Sequence, residues 1–266
     1  MIIKNQKELE ILREGGKKLA AILNALARHA IAGVSARELD DLAEKLILKA
    51  GGTPSFKGYK VIGAPMPYPG SLCVSINDEV VHGLPSDRIL KNGDIVGLDI
   101  GMWYEGLCTD TALSVLVPRG ETSDVKSQKT SDVEERGKKL INATKKSLEI
   151  GIAEVRAGAC IGDIGFAIQK YLEGEGFGVV RELVGHGVGK AVHEDPEIPN
   201  FGKKGTGPEL VEGMVIALEP MATDGGYKVK LSKDGWTWLT RDGSRSAHFE
   251  HTLAVAKNGV EVLTKI

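Results

Sequence analysis

Asp99 and Asp110 each stand among apolar neighbours. Asp99 follows Val96-Gly97-Leu98, and Asp110 precedes the run from Ala112 to Val117. Between them the chain turns through Tyr104-Glu105-Gly106, so the stretch reads as a β-hairpin with one carboxylate on each arm. Either aspartate alone reads most simply as a turn cap or a half-exposed strand residue. Two carboxylates in apolar surroundings are different: they repel each other and are costly to bury unless something pairs with them. A cation between them meets both costs, and oxygen donors suit hard or borderline divalent ions.

Further donors lie in the C-terminal half. Gly185-His186-Gly187-Val-Gly-Lys-Ala-Val-His193 places two histidines in a glycine-rich stretch that reads as a loop, and glycines on both sides of His186 suggest close backbone approach. A histidine in such a loop is as often a solvated turn residue. The stretch lacks the Lys-Ser/Thr ending of a phosphate cradle. Glu219 ends the apolar run Met214 to Leu218, and Glu250 lies on one face of a strand read over Ala247 to Leu253. Asp99, Asp110, His186, Glu219 and Glu250 together make a set of four carboxylates and one imidazole. Carboxylates can bridge, so such a set can hold two divalent metals roughly 3.5–4 Å apart, clamping a hydroxide and polarising a carbonyl. The chemistry implied is hydrolysis.

These donors need elements to position them. Asn5 to Glu8 and Ser35 to Glu38 resemble capping boxes ahead of two amphipathic helices, the second stopping at Gly51-Gly52. Residues 53–70, with four prolines, read as a loop; Ser71 to Ile76 and Val80 to Gly83 read as strands joined by a turn. Residues 118–130 are polar and read as a linker. A helix is predicted behind a capping box at Ser131-Asp-Val-Glu134, running to about Gly151, and another ending near Gly176. The stretch Ala157 to Ile164 echoes Ala32 to Leu39, and Leu210 to Glu219 echoes Leu90 to Asp99. Two echoes in the same order point to an internal duplication of a helix–helix–strand unit. The expected architecture is therefore α/β (α+β): one catalytic domain over 1–266, with halves at 1–117 and 131–266 related by a pseudo-twofold that faces Asp99 towards Glu219.

The 266 residues, 42% hydrophobic and 26% charged, are those of an ordinary globular chain. The net charge of −2 gives no electrostatic case for nucleic acid, and no run approaches a membrane span. Three scattered cysteines, Cys73, Cys108 and Cys160, build neither a zinc finger nor a disulfide framework and suit a reducing compartment.

Cys73-Val-Ser-Ile-Asn77 with Val81-His82-Gly83, the Asp99…Asp110 pair, Gly185-His186-Gly187-Val-Gly189, Glu219-Pro220-Met221 and Phe249-Glu250-His251-Thr252 together resemble methionine aminopeptidases of the short type I, bacterial form. The resemblance covers the chain in family order. It implies the pita-bread fold, two pseudo-twofold-related halves around a central antiparallel sheet with helices on the outer face. It also implies removal of the initiator methionine from nascent polypeptides when the second residue is small. Two divalent ions (cobalt, manganese, iron or zinc) are implied as cofactors. Asp99 would chelate one, Asp110 and Glu250 would bridge both, and His186 and Glu219 would hold the other, with Glu219 as the base for the attacking water. His82 and His193 would contact the substrate amide and carbonyl. Tyr68, Cys73, Met221 and Trp236 would line the methionine pocket. A cytoplasmic monomer is expected, acting on nascent chain N-termini, with the ribosome exit as a further partner and no nucleic acid or membrane.

Three stretches depart from the family's usual pattern, and all three are expected at the pocket wall. They are Val192 in place of an aromatic, His248 in place of a glutamine, and the segment 57–70. Val192 predicts a roomier wall and a looser preference for methionine, an effect of roughly 1–3 kcal/mol. The alternatives are a prolidase or Xaa-Pro aminopeptidase, which normally carries a further N-terminal domain, and a non-catalytic pita-bread module, which would have lost donors.

Overall fold

The computed structural model describes residues 1–118 and 128–265. Helix α1 spans Gln6–His29 and starts where the Asn5 side chain accepts from the Glu8 amide. Helix α2 spans Ala36–Lys49 behind a complete Ser35/Glu38 capping box. Helix α3 spans Gln128–Glu154, and α4 spans Ile161–Gly174. The start of α3 corrects the sequence reading: Ser131 lies inside the helix. Of the expected linker, residues 119–127 fall outside the described residues and 128–130 are helical. Nor does Gly151 end α3. A Cβ there would meet Ile168 at 2.7 Å, so this glycine serves helix packing rather than termination.

Among the described residues nine strands form an antiparallel sheet, and six more form two small three-stranded sheets. The main path of the large sheet runs Thr53–Pro54, Ile95–Tyr104, Leu107–Leu116, Glu250–Ala256, Val215–Leu218, Gly185–Gly187, Glu194–Ile198. Leu72–Ile76 also pairs with Ile95–Tyr104, and Gly259–Val262 with Glu250–Ala256. The hairpin turn is tighter than expected. Its two central residues, Glu105 and Gly106, have φ of 47° and 82°, the backbone that matches strand twist in a two-residue turn. Two further readings change. His186 sits on a strand, not in a loop. The strand read over 247–253 is two, Ser246–His248 and Glu250–Ala256, which lie in different sheets and break at Phe249. The Phe249 amide leaves the ladder to donate to the Pro220 carbonyl at 3.3 Å.

Helices cover one face of the sheet, as expected of this α+β architecture. Leu19, Leu26, Leu39, Leu72 and Leu98 form the apolar core beneath α1 and α2. Leu140, Ile164, Ile168, Leu218 and Phe249 form the one beneath α3 and α4. Matching backbone hydrogen bonds frame the two regions. Gly33 N–H donates to Leu90 as Gly158 N–H does to Leu210, Ala36 to Arg88 as Ile161 to Pro208, and Gly93 to Val117 as Gly213 to Val255. These bonds support treating residues 1–117 and 131–266 as two copies of one unit, which we propose as the internal organisation of a single domain.

Candidate metal centre

Strand alternation decides which side chains face away from the helices. Leu98, Leu218 and Phe249 point into the helical cores, so Asp99, Glu219 and Glu250 point to the opposite face. The register then brings them into one row. Asp99 is opposite Ala112, and Ala112 is opposite Glu250. His251 is opposite Leu218, which sets Glu250 beside Glu219. Asp110, two residues before Ala112, lies diagonally on the same face; His186, opposite Ala217, lies diagonally to Glu219. All five predicted donors therefore meet at the middle of the sheet, contributed by five different strands or strand ends.

Local bonds hold them there. The Thr252 hydroxyl accepts from the Asp110 amide at 2.8 Å and donates to the Asp110 carbonyl at 2.7 Å. The Thr111 hydroxyl donates to the Glu250 carbonyl, and the Asn200 amide to the Glu219 carbonyl. His186 Nδ1–H donates to the Gly187 carbonyl at 2.9 Å, which leaves the Nε2 lone pair free, 3.5 Å from Glu219 Oε1. Burial, with His193 nearby, lowers the pKa of His186 to about 3, so the ring is neutral at pH 7.

The donor set fits divalent cations. Ligand atoms of Asp110, His186 and Glu250 all lie within 4.8 Å of one another. Asp99 Oδ1 and Glu250 Oε1 are buried acceptors with no hydrogen-bond partner. Burial and then the neighbouring carboxylates push Asp99, Glu219 and Glu250 well above the ordinary carboxylate range, and burial raises Asp110 to about 7. Four acids so placed are held against their own repulsion, and positive charge relieves it.

The raised carboxyls give the metal-free protein a signed pH dependence. The folded state keeps protons that the unfolded state has released, so stability present at low pH is lost as pH rises through about 7. His82, His186 and His248, lowered by burial to about 4, 3 and 3, act in the opposite sense. Above about pH 7.5 they are neutral in both states and contribute no slope. With Asp110 ionised above about pH 7 and the buried carboxylates repelling, chelated protein is expected to melt lower at pH 8 than protein with saturating divalent cation at the same pH. A Tm at pH 8 that the cation leaves unchanged would refute the account.

The donors line an open cavity. His82 and His193 flank it, and the His193 ring meets that of His186 edge-on with centroids 4.3 Å apart. His82 adopts φ 57°, in the left-handed region. It is followed by Gly83, where a Cβ would come within 2.2 Å of the Val74 carbonyl. Tyr68, Cys73 and Trp236 line the wall, the Tyr68 and Trp236 rings packing edge-on at 5.2 Å.

Met221 pairs into a small sheet with Ser246–His248, packs with Val80, Val81 and Val180, and borders an adjoining groove that His82, His186, His193 and Glu219 also line. Two expectations about the wall are corrected. Val192 is buried in the adjoining core and does not line the cavity. His248 lies behind the carboxylates rather than on the wall, its Nε2 3.5 Å from Glu219 Oε2. Sequence reasoning missed Phe56, Tyr59 and Val61, which close the wall. The signal was the segment 57–70 itself. Its ends are drawn together where Gly58 N–H donates to the Tyr68 carbonyl and Tyr68 N–H to the Tyr59 carbonyl, both at 2.8 Å.

Comparison with known proteins identifies relatives of the whole chain. The profile of metallopeptidase family M24 matches residues 10–257. The chain is 44% identical over 266 residues to a methionine aminopeptidase of Clostridium perfringens, covering 100% of this chain and 99% of that protein. The crystal structure of a methionine aminopeptidase from Thermotoga maritima superposes with a TM-score of 0.90 at 41% identity, covering 100% of both chains. An Xaa-Pro dipeptidase from Bacillus anthracis shares the fold, with a TM-score of 0.74 at 22% identity over 100% of this chain and 62% of its own.

Proposed function

The chain belongs to metallopeptidase family M24 and has its pita-bread fold, and from that premise we propose that it removes N-terminal methionine from polypeptides whose second residue is small. It is a metal-dependent aminopeptidase. The observation that carries the reading is the meeting of four carboxylates and one neutral imidazole in a cavity with an aromatic wall. The five donors would hold two divalent ions, with Asp99 serving one, His186 and Glu219 the other, and Asp110 and Glu250 shared. When bound, such ions polarise a carbonyl and acidify a water.

The protein's own groups do the rest. Glu219 takes the proton of the attacking water, from its place at the cavity beside His186. His82 and His193 hydrogen-bond the substrate amide and carbonyl and stabilise the developing oxyanion. Tyr68, Cys73, Trp236, Phe56 and Tyr59 hold the methionine side chain, whose thioether favours aromatic and soft neighbours. The natural partner is the N-terminus of a nascent polypeptide, met in the cytoplasm near the ribosome by a monomer. Among the described residues no helix is long and apolar enough to cross a membrane.

The test is kcat/KM for Met-Ala, Leu-Ala, Met-Leu and Xaa-Pro peptides. Met-Ala is expected to be fastest. The looser preference expected from Val192 loses its basis, so Val192→Phe should leave the Met-to-Leu ratio unchanged. Overpacking there should cost about 1–3 kcal/mol of stability instead. Faster cleavage of Met-Leu than of Met-Ala would refute the methionine reading, and preferential Xaa-Pro cleavage would establish the prolidase-like alternative.

A further inference from the structure

Beyond its place in the cavity wall, Tyr59 makes a second contact: its hydroxyl lies 2.8 Å from His193 Nδ1. Its ring packs on the imidazole, with centroids 5.3 Å apart and planes tilted by 56°. We propose that Tyr59 is a positioning residue: its hydroxyl donates to His193 Nδ1 and fixes the imidazole proton on Nε2, the nitrogen left for the substrate.

The direction of the bond follows from chemistry. A neutral imidazole has one donor and one acceptor nitrogen, and the partner of one fixes the role of the other. The phenol oxygen shares its lone pair with the ring, which makes the hydroxyl a good donor and a poor acceptor. The imidazole nitrogen in the ring plane is a strong acceptor. Among the described residues the His193 ring has no other hydrogen bond, so Tyr59 alone sets the tautomer.

The neighbouring histidine shows the opposite arrangement. His186 donates from Nδ1 to the Gly187 carbonyl and keeps a lone pair on Nε2. His193 accepts at Nδ1 and keeps a proton on Nε2. Two imidazoles with centroids 4.3 Å apart are thus prepared for different work: His186 to give an electron pair to a cation, His193 to give a hydrogen bond to a substrate oxygen or nitrogen. A His193 with its proton on Nε2 cannot ligate through that atom, which separates the two histidines without any difference in residue type.

The backbone around Tyr59 keeps the hydroxyl in place. Tyr59 N–H donates to the Phe56 carbonyl at 2.8 Å, and its own carbonyl accepts from Tyr68. Trp236 Nε1–H donates to the Met66 carbonyl at 3.0 Å, tying the far side of the same segment to the cavity wall. The segment that departs from the family pattern therefore bears on the reactivity of His193 as well as on the shape of the pocket.

The proposal rests on His193 facing substrate, so the test has two arms. In zinc-loaded protein, 15N NMR of the histidine side chains should show His193 protonated at Nε2 with Nδ1 accepting. Tyr59→Phe, which keeps the ring, should move the Nδ1 signal towards that of an unbonded nitrogen. Kinetically, Tyr59→Phe should lower kcat for Met-Ala peptides by about threefold to tenfold, the worth of one hydrogen bond, with little change in KM. In a His193→Ala background the same substitution should have no further effect on kcat. A wild-type His193 carrying its proton on Nδ1 would overturn the proposal. So would an equal loss of kcat on adding Tyr59→Phe to His193→Ala, since that marks Tyr59 as wall packing only. Native protein that cleaves no methionyl peptide would refute the function instead, while the NMR arm still decides the hydrogen bond.

Discussion

Asp110→Ala and Glu250→Ala are expected to lower kcat/KM by at least about a thousandfold and to lose bound metal, if each supplies a donor shared by both ions as proposed. Neither should unfold the protein. Both carboxyls are buried and raised by burial, and for Glu250 by its carboxylate neighbours as well, so deleting one relieves a repulsion. The metal-free variants should be at least as stable as metal-free native protein at pH 8. This separates the ligand role from a structural one, since a residue held for packing would lower stability when truncated. The control is Cys108→Ala, in the same hairpin and equally buried, but outside the cavity lining. It should keep metal and activity. Metal content by elemental analysis, Tm after chelation and kcat/KM decide the matter; equal losses in all three variants, with the fold intact, would sink the ligand assignment.

His193→Ala is expected to lower kcat by about 10²–10³-fold with metal content unchanged. The ring borders the cavity and touches His186, yet the tautomer set by Tyr59 directs an N–H, not a lone pair, at whatever fills the site. Its loss should therefore be felt in the transition state, where charge develops on the carbonyl oxygen, more than in KM. His193→Gln, which keeps a donor, should recover part of the rate. Loss of metal from His193→Ala would make it a ligand and the assignment wrong.

Much of this was legible from residue order alone, for identifiable reasons. The Asp99/Asp110 hairpin announces itself because a two-residue turn and period-two alternation leave their mark over ten residues on each side. The repeat announces itself because Gly33 and Gly158, or Gly93 and Gly213, need the same positive φ in both halves. What failed depends on partners distant in sequence. His186 reads as a loop because its flanking glycines look like flexibility. In the fold they let strands close up: a Cβ at Gly185 would meet the Ala217 carbonyl at 2.4 Å, and one at Gly187 the Asp195 carbonyl at 2.3 Å. Met221 follows Glu219-Pro220 closely in the chain but belongs to one of the small sheets, which no local pattern reveals. Tyr59 sits in a proline-rich segment whose composition predicts an irregular path but not that the path doubles back over His193. The start of α3 was missed because polar residues after Pro118 suggested a linker, and nothing in Gln128 to Thr130 prevents a helix.

The left-handed backbone at His82 has a consequence for how this protein could change under selection. At φ 57° an asparagine or a glycine would sit with less strain, and a histidine there costs on the order of 1–2 kcal/mol. The position is thus one where resistance to heat and turnover pull towards different amino acids. A screen of variants for survival at high temperature alone would discard this imidazole early, and with it a group that lines the cavity. A screen that also demands growth on the cleaved product would keep it and seek its stability in the helical cores on the other side of the sheet, where nothing has to touch the peptide.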